Sequence, residues 1–426
     1  MGSVRLSDTV GLRRMLVLAL LCETAFAMVN ISSMPIYLTQ SRGLHAGTVG
    51  AVLAVFLATE ALAKGPMGRW SDRVGRRPFL VAGPLLAMGS ALGTVAVPSG
   101  LGETAWFMIL RVLDGLGAGM IWPAMFAMMG DVAGEGRRQR AMSLLNLCYL
   151  GGLGLALPLG GWANEHLAPL LDLPEKTGGF WLAGALFAVA FATAVWLRES
   201  HTQRPVASSH LDASAWRRIP GPMTIAMVTF VGIGLPMAIV KLFASDVFRL
   251  SEVQFGLLVV PGVAAMAGLS VPMARLGERL GSNRAVTVGL LACLVGVAGL
   301  WGSSLFLDRS GESWSVTPAA ISFLAAGAAL TGLGFLLALP AWYAAVSDLD
   351  PQRRGANTGA IMAAQGVGAI VGAALGSSLY GAVEHLGPLE ARYAPFAGCA
   401  ICVGAGWLLS LALMLPRSRG SRSPNA

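Results

Sequence analysis

Six ionisable residues stand inside stretches that are otherwise apolar: Glu23, Glu60, Lys64, Arg111, Asp114 and Lys241. A charge withdrawn from water is costly unless it is paired or used, so each is a functional candidate. Glu23 sits about eight residues into its stretch, roughly 12 Å along a helix at 1.5 Å per residue. A carboxyl group at that depth can take up and release a proton near neutral pH, or hold a cationic substrate. The competing role is a permanently paired structural carboxylate. Arg111 and Asp114 are i, i+3 neighbours and can pair directly. Glu60 and Lys64, at i, i+4, are favoured as a structural pair with Lys64 reaching back to water, while Glu60 also joins the proton or substrate candidates. Lys241 lies near the end of its stretch, where it can snorkel outward or reach Asp246. Asn30, Asn146, Trp122, Trp342, Tyr343 and Gln365 are further candidates to line a cavity.

Other chemistries lack their residues. His45, His166, His201, His210 and His385 all fall in polar segments, which leaves no buried histidine as a metal ligand or proton relay. Cys22, Cys148, Cys293, Cys399 and Cys402 all fall in apolar stretches; Cys399 and Cys402 have redox-motif spacing without the fold context that gives it meaning, so packing is the reading. No phosphate-cradling loop ends in Gly-Lys-Ser/Thr. No enzyme activity, no metal and no cofactor is expected.

The elements that must position these residues are membrane helices. Of 426 residues, 55% are hydrophobic and only 12% charged, too few charges to keep a soluble chain dissolved. The 55 glycines suit helices that pack closely in lipid. Apolar stretches long enough to cross a bilayer are read at Met15–Leu38, Thr48–Met67, Phe79–Val97, Ala105–Met128, Met142–Trp162 and Phe180–Leu197. Six more run at Pro222–Phe243, Gln254–Ala274, Ala285–Leu305, Ala319–Val346, Ala356–Ala382 and Ala394–Leu415. The expected fold is all-α and integral to the membrane, with twelve transmembrane helices in two six-helix bundles. Residues 1–197 form the N-terminal bundle, 198–220 a cytoplasmic linker and 221–426 the C-terminal bundle.

With both termini cytoplasmic, most of the 30 basic residues fall on the inner face, while Arg42, Lys176, Arg249, Arg309 and Arg392 fall outside. The formal charge of +8 therefore reflects topology rather than nucleic-acid binding. The apolar stretch runs on past Ala25-Phe26-Ala27, so the first helix is expected to stay attached rather than serve as a cleaved signal. Expected partners are membrane lipid, protons and a small-molecule substrate, with the protein acting as a monomer in the cell membrane.

The two halves repeat each other. Pro66-Met67-Gly68-Arg69-Trp70-Ser71-Asp72-Arg73-Val74-Gly75-Arg76-Arg77 aligns with the stretch from Pro272 to Asn283 at an offset of 206 residues. In spans four and ten, Gly115, Gly117, Pro123 and Asp131 match Gly332, Gly334, Pro340 and Asp348 at an offset of 217. The extra residues fit a longer outer loop around Asp308–Pro318. Six helices per half puts both repeats in the same orientation across the membrane.

The segment Gly68-x-x-x-Asp72-Arg73-x-Gly75-Arg76-Arg77 resembles the signature loop of the major facilitator superfamily, and Arg111-x-x-x-Gly115-x-Gly117-x-Gly119 is similar to its second motif. The resemblance, to the drug-efflux members in particular, implies a conformational latch in which Asp72 meets the start of span eleven near Gly355. It also implies that Arg111 takes part in proton coupling, biasing a carboxylate such as Asp114 or Glu23. Span five departs from the Gly-Pro-x-x-Gly-Gly pattern of drug antiporters, with Leu157-Pro158-Leu159-Gly160-Gly161.

The function expected is a proton-coupled exporter of small apolar or cationic organic molecules. The alternative is a symporter importing a metabolite or organic anion, with Arg111 holding the anionic group; a non-transporting receptor of the same fold is the third class. Buried charge is concentrated in the first half. The second half keeps the loop skeleton but has Ala328 where the offset would put an Arg111 counterpart.

Overall fold

The computed structural model describes residues 6–133, 138–198, 215–310, 313–349, 354–384 and 389–414. Among them, eleven helices are long and apolar enough to cross a membrane. They are span one (Gly11–Ser41), two (Ala46–Val74), three (Arg77–Val95), four (Glu103–Met129), six (Gly178–Val195) and seven (Pro220–Met237). The others are eight (Glu252–Leu280), nine (Ser282–Phe306), ten (Pro318–Val346), eleven (Ala360–Val383) and twelve (Ala391–Leu413). The helix Arg138–Trp162 takes the place of span five. Each coincides with a stretch read from the sequence, and the chain is an integral membrane protein of helical architecture. The longer loop between spans nine and ten holds a small antiparallel hairpin, Leu307–Ser310 with Ser313–Val316.

Three local features depart from uniform α-helix. Span one contains two π-helical segments, Met28–Ser33 and Tyr37–Ser41, a form that recurs at functional sites. Span seven is not the continuous Pro222–Phe243 helix expected. Pro236 has no N–H to donate and its ring crowds the preceding turn, so the helix ends at Met237 and a second one runs Val240–Phe248. The loops after spans two and eight turn on Gly75 and Gly281, at φ of 113° and 79°. Only glycine takes these angles without strain, and the repeat offset superposes one on the other.

The chain divides into two compact units whose boundary runs through spans seven, eight and eleven and the start of span twelve. Residues 1–208, 234–268 and 370–395 form one; residues 209–233, 269–369 and 396–426 form the other. The first is cored by Met15, Phe26, Tyr37, Phe107, Phe180 and Phe187, with Phe26 and Phe187 edge to face at 4.9 Å. The second is cored by Val286, Leu290, Trp342, Val346 and Ile361.

Each unit contains the same backbone interlock. A Cβ on Gly83 would stand 2.9 Å from the Gly117 carbonyl oxygen, and one on Gly117 would stand 2.8 Å from that of Gly83. In the other unit the reciprocal approaches are 2.6 Å for Gly289 on Gly334 and 2.5 Å for Gly334 on Gly289. The repeat offsets carry Gly83 onto Gly289 and Gly117 onto Gly334. The repeat in sequence is thus a repeat in contact, where small residues let helix backbones touch. The obstructing atoms are main-chain and cannot swing aside. Gly117→Ala should therefore lower the unfolding temperature in detergent, by an overpacking cost of about 1–3 kcal/mol. Gly89→Ala, where a Cβ meets nothing within 4 Å, should leave it unchanged or raise it slightly. Equal responses from the two variants would refute the interlock.

Candidate functional site

The site grows from one face of span four. Arg111 and Asp114 are both wholly buried, and Arg111 Nη1 donates to Asp114 Oδ2 at 2.8 Å. The same Nη1 donates to Asn30 Oδ1 at 3.2 Å, and Nη2 donates to Ser90 Oγ and Thr94 Oγ1, each at 3.1 Å. Asn30 returns a bond through Nδ2 to Asp114 Oδ2 at 2.9 Å. The two hydroxyls are aimed by their own donations, Ser90 to the Leu110 carbonyl and Thr94 to that of Ser90. Spans one, three and four thus converge on one guanidinium. Arg111 Nε and Asp114 Oδ1 have no partner among the described residues.

The glycines that follow Arg111 bring span two alongside. A Cβ on Gly115 would lie 2.7 Å from the Phe56 carbonyl oxygen, and one on Gly119 would lie 2.5 Å from Ala63 Cβ. That approach holds Glu60 beside the pair. On the other flank Gly152 of span five lets span one in, since a Cβ there would come 2.8 Å from Glu23 Cβ.

Between these helices lies a cavity of about 180 Å³. Its polar lining is Glu23, Asn30, Glu60 and Tyr149, and Phe26, Phe56 and Trp122 supply aromatic walls. Tyr149 lines the cavity together with the Glu23 carboxyl group. Glu60 pairs with Lys64 at 2.8 Å, and Lys64 is 48% exposed along its side chain, the arrangement read from the sequence. The structure therefore brings Glu23, Glu60, Asn30 and Trp122 into one cavity, with Arg111 and Asp114 directly behind Asn30. It does not bring Trp342, Tyr343 and Gln365 there; they lie in the other unit, where the Tyr343 hydroxyl donates to Gln365 Oε1 at 2.8 Å. The Asn146 side chain lies outside the described residues.

Lys241 departs from both expectations. It neither snorkels nor reaches Asp246, but is 3% exposed and bound to Glu252 Oε2 at 2.7 Å. Asp246 instead accepts from the Tyr380 hydroxyl at 2.8 Å. The break after Pro236 re-aims the helix that carries Lys241, which spacing along an unbroken helix does not anticipate. Buried charge is consequently not confined to the first half. Glu252, Ser90, Thr94, Tyr149 and Gly152 escaped the sequence reading. Serine, threonine and glycine inside spans carry no signal of their own, and Glu252 stands at a helix start, where carboxylates are ordinary.

The family model described as Major Facilitator Superfamily matches residues 16–317 and 223–426. The chain belongs to the major facilitator superfamily. Among curated relatives, the class C tetracycline resistance protein of Escherichia coli is 26% identical over 392 residues, 88% of either chain. Multidrug resistance protein 2 of Bacillus subtilis (strain 168) is 24% identical over 377 residues, 85% of this chain and 86% of that one. Of solved structures, a mutant of the nucleoside transporter NupG aligns at a TM-score of 0.75 with 11% identity, over 95% of this chain and 99% of that one. Tetrameric PepTSo2 aligns at 0.71 with 14% identity, over 96% and 98%. At those identities the structural likeness speaks for the fold alone.

The superfamily loop is a short relay of charge. Asp72 pairs with Arg76 at 3.4 Å, and Arg76, held largely out of solvent, also pairs with Asp131 of span four. Arg77 donates to the Val195 carbonyl at 2.6 Å, Arg73 is exposed, and Gly68 abuts Pro123. The implied partner of Asp72 near Gly355 is a segment whose side chains lie outside the described residues.

The central pair invites a stability test. Arg111→Met strands the Asp114 carboxylate without its cation, at a cost of about 3–5 kcal/mol for breaking a buried pair. Arg111→Met combined with Asp114→Leu removes both charges and should recover most of the lost thermal stability. If the double variant is no more stable than the single one, the cluster is not held by charge compensation.

Proposed function

We propose that the chain exports small apolar or cationic organic molecules in exchange for protons, by alternating access. The observation that carries this reading is the cavity itself. Two carboxylates, Glu23 and Glu60, face an aromatic space, and the one lysine beside them is already paired to Glu60. An organic cation with an apolar body finds both its counter-charge and its stacking surface there. Glu23 can hold a proton or the cation but not both, and that exclusion is the basis of exchange. The relatives above, a tetracycline resistance protein and a multidrug resistance protein, point the same way.

The importing alternative asked Arg111 to hold an anionic substrate. Arg111 is wholly buried, its two terminal nitrogens make four bonds to protein groups, and it does not line the cavity. A role in coupling fits it better: Asn30 faces the cavity and bonds both Arg111 and Asp114, so it senses the charge on either side. In this reading both termini are cytoplasmic and the Gly68–Arg77 loop lies at the inner surface, its arginines kept there by charge.

Proteoliposomes under an imposed pH gradient test the proposal, with tetracycline and a lipophilic organic cation as probes. Wild-type protein should move a probe against the direction of proton entry, and Glu23→Gln should abolish that flux while the protein stays folded. Full flux in Glu23→Gln would remove the main site. Asp72→Asn should slow transport without changing which probes are carried; an unaltered rate would reduce the loop to a topology signal.

A further inference from the structure

The end of the cavity away from the Gly68–Arg77 loop is roofed by a second buried charge cluster. Lys241 donates to Glu252 Oε2 at 2.7 Å and to Ser32 Oγ at 3.1 Å, with the Ser32 carbonyl as a further acceptor. Glu252 also accepts from Asn164 Nδ2 at 2.8 Å and from Lys176 Nζ at 3.0 Å. Beside them, Glu165 Oε1 accepts from the Val253 N–H at 3.2 Å. Ile31, next to Ser32, and Met237 and Ala238, a turn before Lys241, line the cavity directly beneath. All of these residues belong to one compact unit.

The provenance of the partners is the informative part. Lys241 and Glu252 come from spans seven and eight, whereas Ser32, Asn164, Glu165 and Lys176 come from the first half. A seam between the halves passes through the cluster, and the backbones on its two sides are pressed together. A Cβ on Gly161 would lie 2.6 Å from the Glu252 carbonyl carbon, and one on Gly256 would lie 2.5 Å from Pro158 Cα. Further along the seam, Gly50 of span two sits against Ser377 of span eleven, with no room for a side chain.

We propose that Lys241 and Glu252 are gating residues, a charged clasp that holds this end of the cavity shut and opens by releasing its first-half partners while the pair itself stays together. The inference rests on the alternating-access reading above. A salt bridge that merely straddled the seam would leave an uncompensated charge on each face when it broke, which is strongly unfavourable. Here the strong pair lies on one side. When the seam parts, Lys241 and Glu252 keep each other, and Lys176 and Glu165 are left as a cation and an anion on the other side. Among the described residues of the cluster, the uncharged side chains that lose partners are Ser32 and Asn164, which water can then satisfy. The clasp therefore adds specific bonds to the closed state without a large charge penalty in the open one. Ser32 also shares the π-helical segment Met28–Ser33 with Asn30, so one turn of span one touches both the clasp and the Arg111–Asp114 pair.

Pulsed spin-label distance measurement on the full-length chain, with its five native cysteines replaced, tests the clasp. Labels at Leu171 and Leu257, both exposed and on opposite sides of the seam, report its opening. Wild type should show mainly the short distance. Glu252→Gln and Lys176→Met should each raise the longer-distance population several-fold. Should Glu252→Gln fail to fold, the Lys241→Met/Glu252→Met double variant keeps the volume, removes both charges of the buried pair, leaves only the partly exposed Lys176 to water, and should open likewise. A wild-type distance distribution in Lys176→Met and in whichever Glu252 variant folds would overturn the clasp. The measurement needs neither substrate nor gradient. An unchanged distance therefore condemns the clasp alone, and altered distances without proton-driven flux condemn the exchange reading alone.

Discussion

A guanidinium held wholly out of water is the interaction around which the larger unit is arranged. Lipid offers no solvent to compensate Arg111, so its charge must be met by protein groups. Asp114 meets it one turn away, and Asn30, Ser90 and Thr94 take up three further hydrogen bonds at 3.1–3.2 Å. Those acceptors sit on three different spans, so satisfying the charge fixes three helices at once. Gly83 and Gly117 bring the backbones of spans three and four together, and that contact is what lets the cluster form. Side chains this short reach the guanidinium only if the backbones come into contact.

The second unit shows what remains when that demand is lifted. The repeat offsets place Gly296 where Ser90 stands, Leu300 for Thr94, Ala328 for Arg111 and Thr331 for Asp114. The whole polar cluster is gone, not only its cation. In its place the Thr331 hydroxyl donates back to the Gly327 carbonyl at 2.8 Å, within its own helix. The glycine interlock of spans nine and ten survives intact. Backbone geometry and buried charge are separable layers of the repeat: the first is shared, the second belongs to one copy.

That separation explains what was legible in the sequence. Twelve apolar stretches, the superfamily loop and the glycine positions are set by composition and spacing, and the structure has them within a few residues. The Arg111–Asp114 and Glu60–Lys64 pairs were legible because both partners share a helix face. The acceptors Ser90 and Thr94, and the partnership of Lys241 with Glu252, were not. They depend on how separate helices rotate against one another, and for Lys241 on a helix break whose new direction Pro236 does not specify by itself. The π-helical turns of span one leave no mark in hydropathy at all.

Span one is where these layers meet. Four consecutive residues serve three neighbours: Asn30 bonds the Arg111–Asp114 pair, Ile31 lines the cavity, and Ser32 and Ser33 bond Lys241 and Asn164 of the clasp. The most apolar window of this span is 72% buried among protein, whereas that of span eight is 0% buried. A helix with lipid on one side can slide or tilt while keeping its remaining contacts. A helix enclosed over most of its surface is held more tightly, because a displacement is felt by most of its neighbours together. In the proposed cycle, charge at Asp114, occupancy of the cavity and opening of the seam would therefore all bear on this one helix.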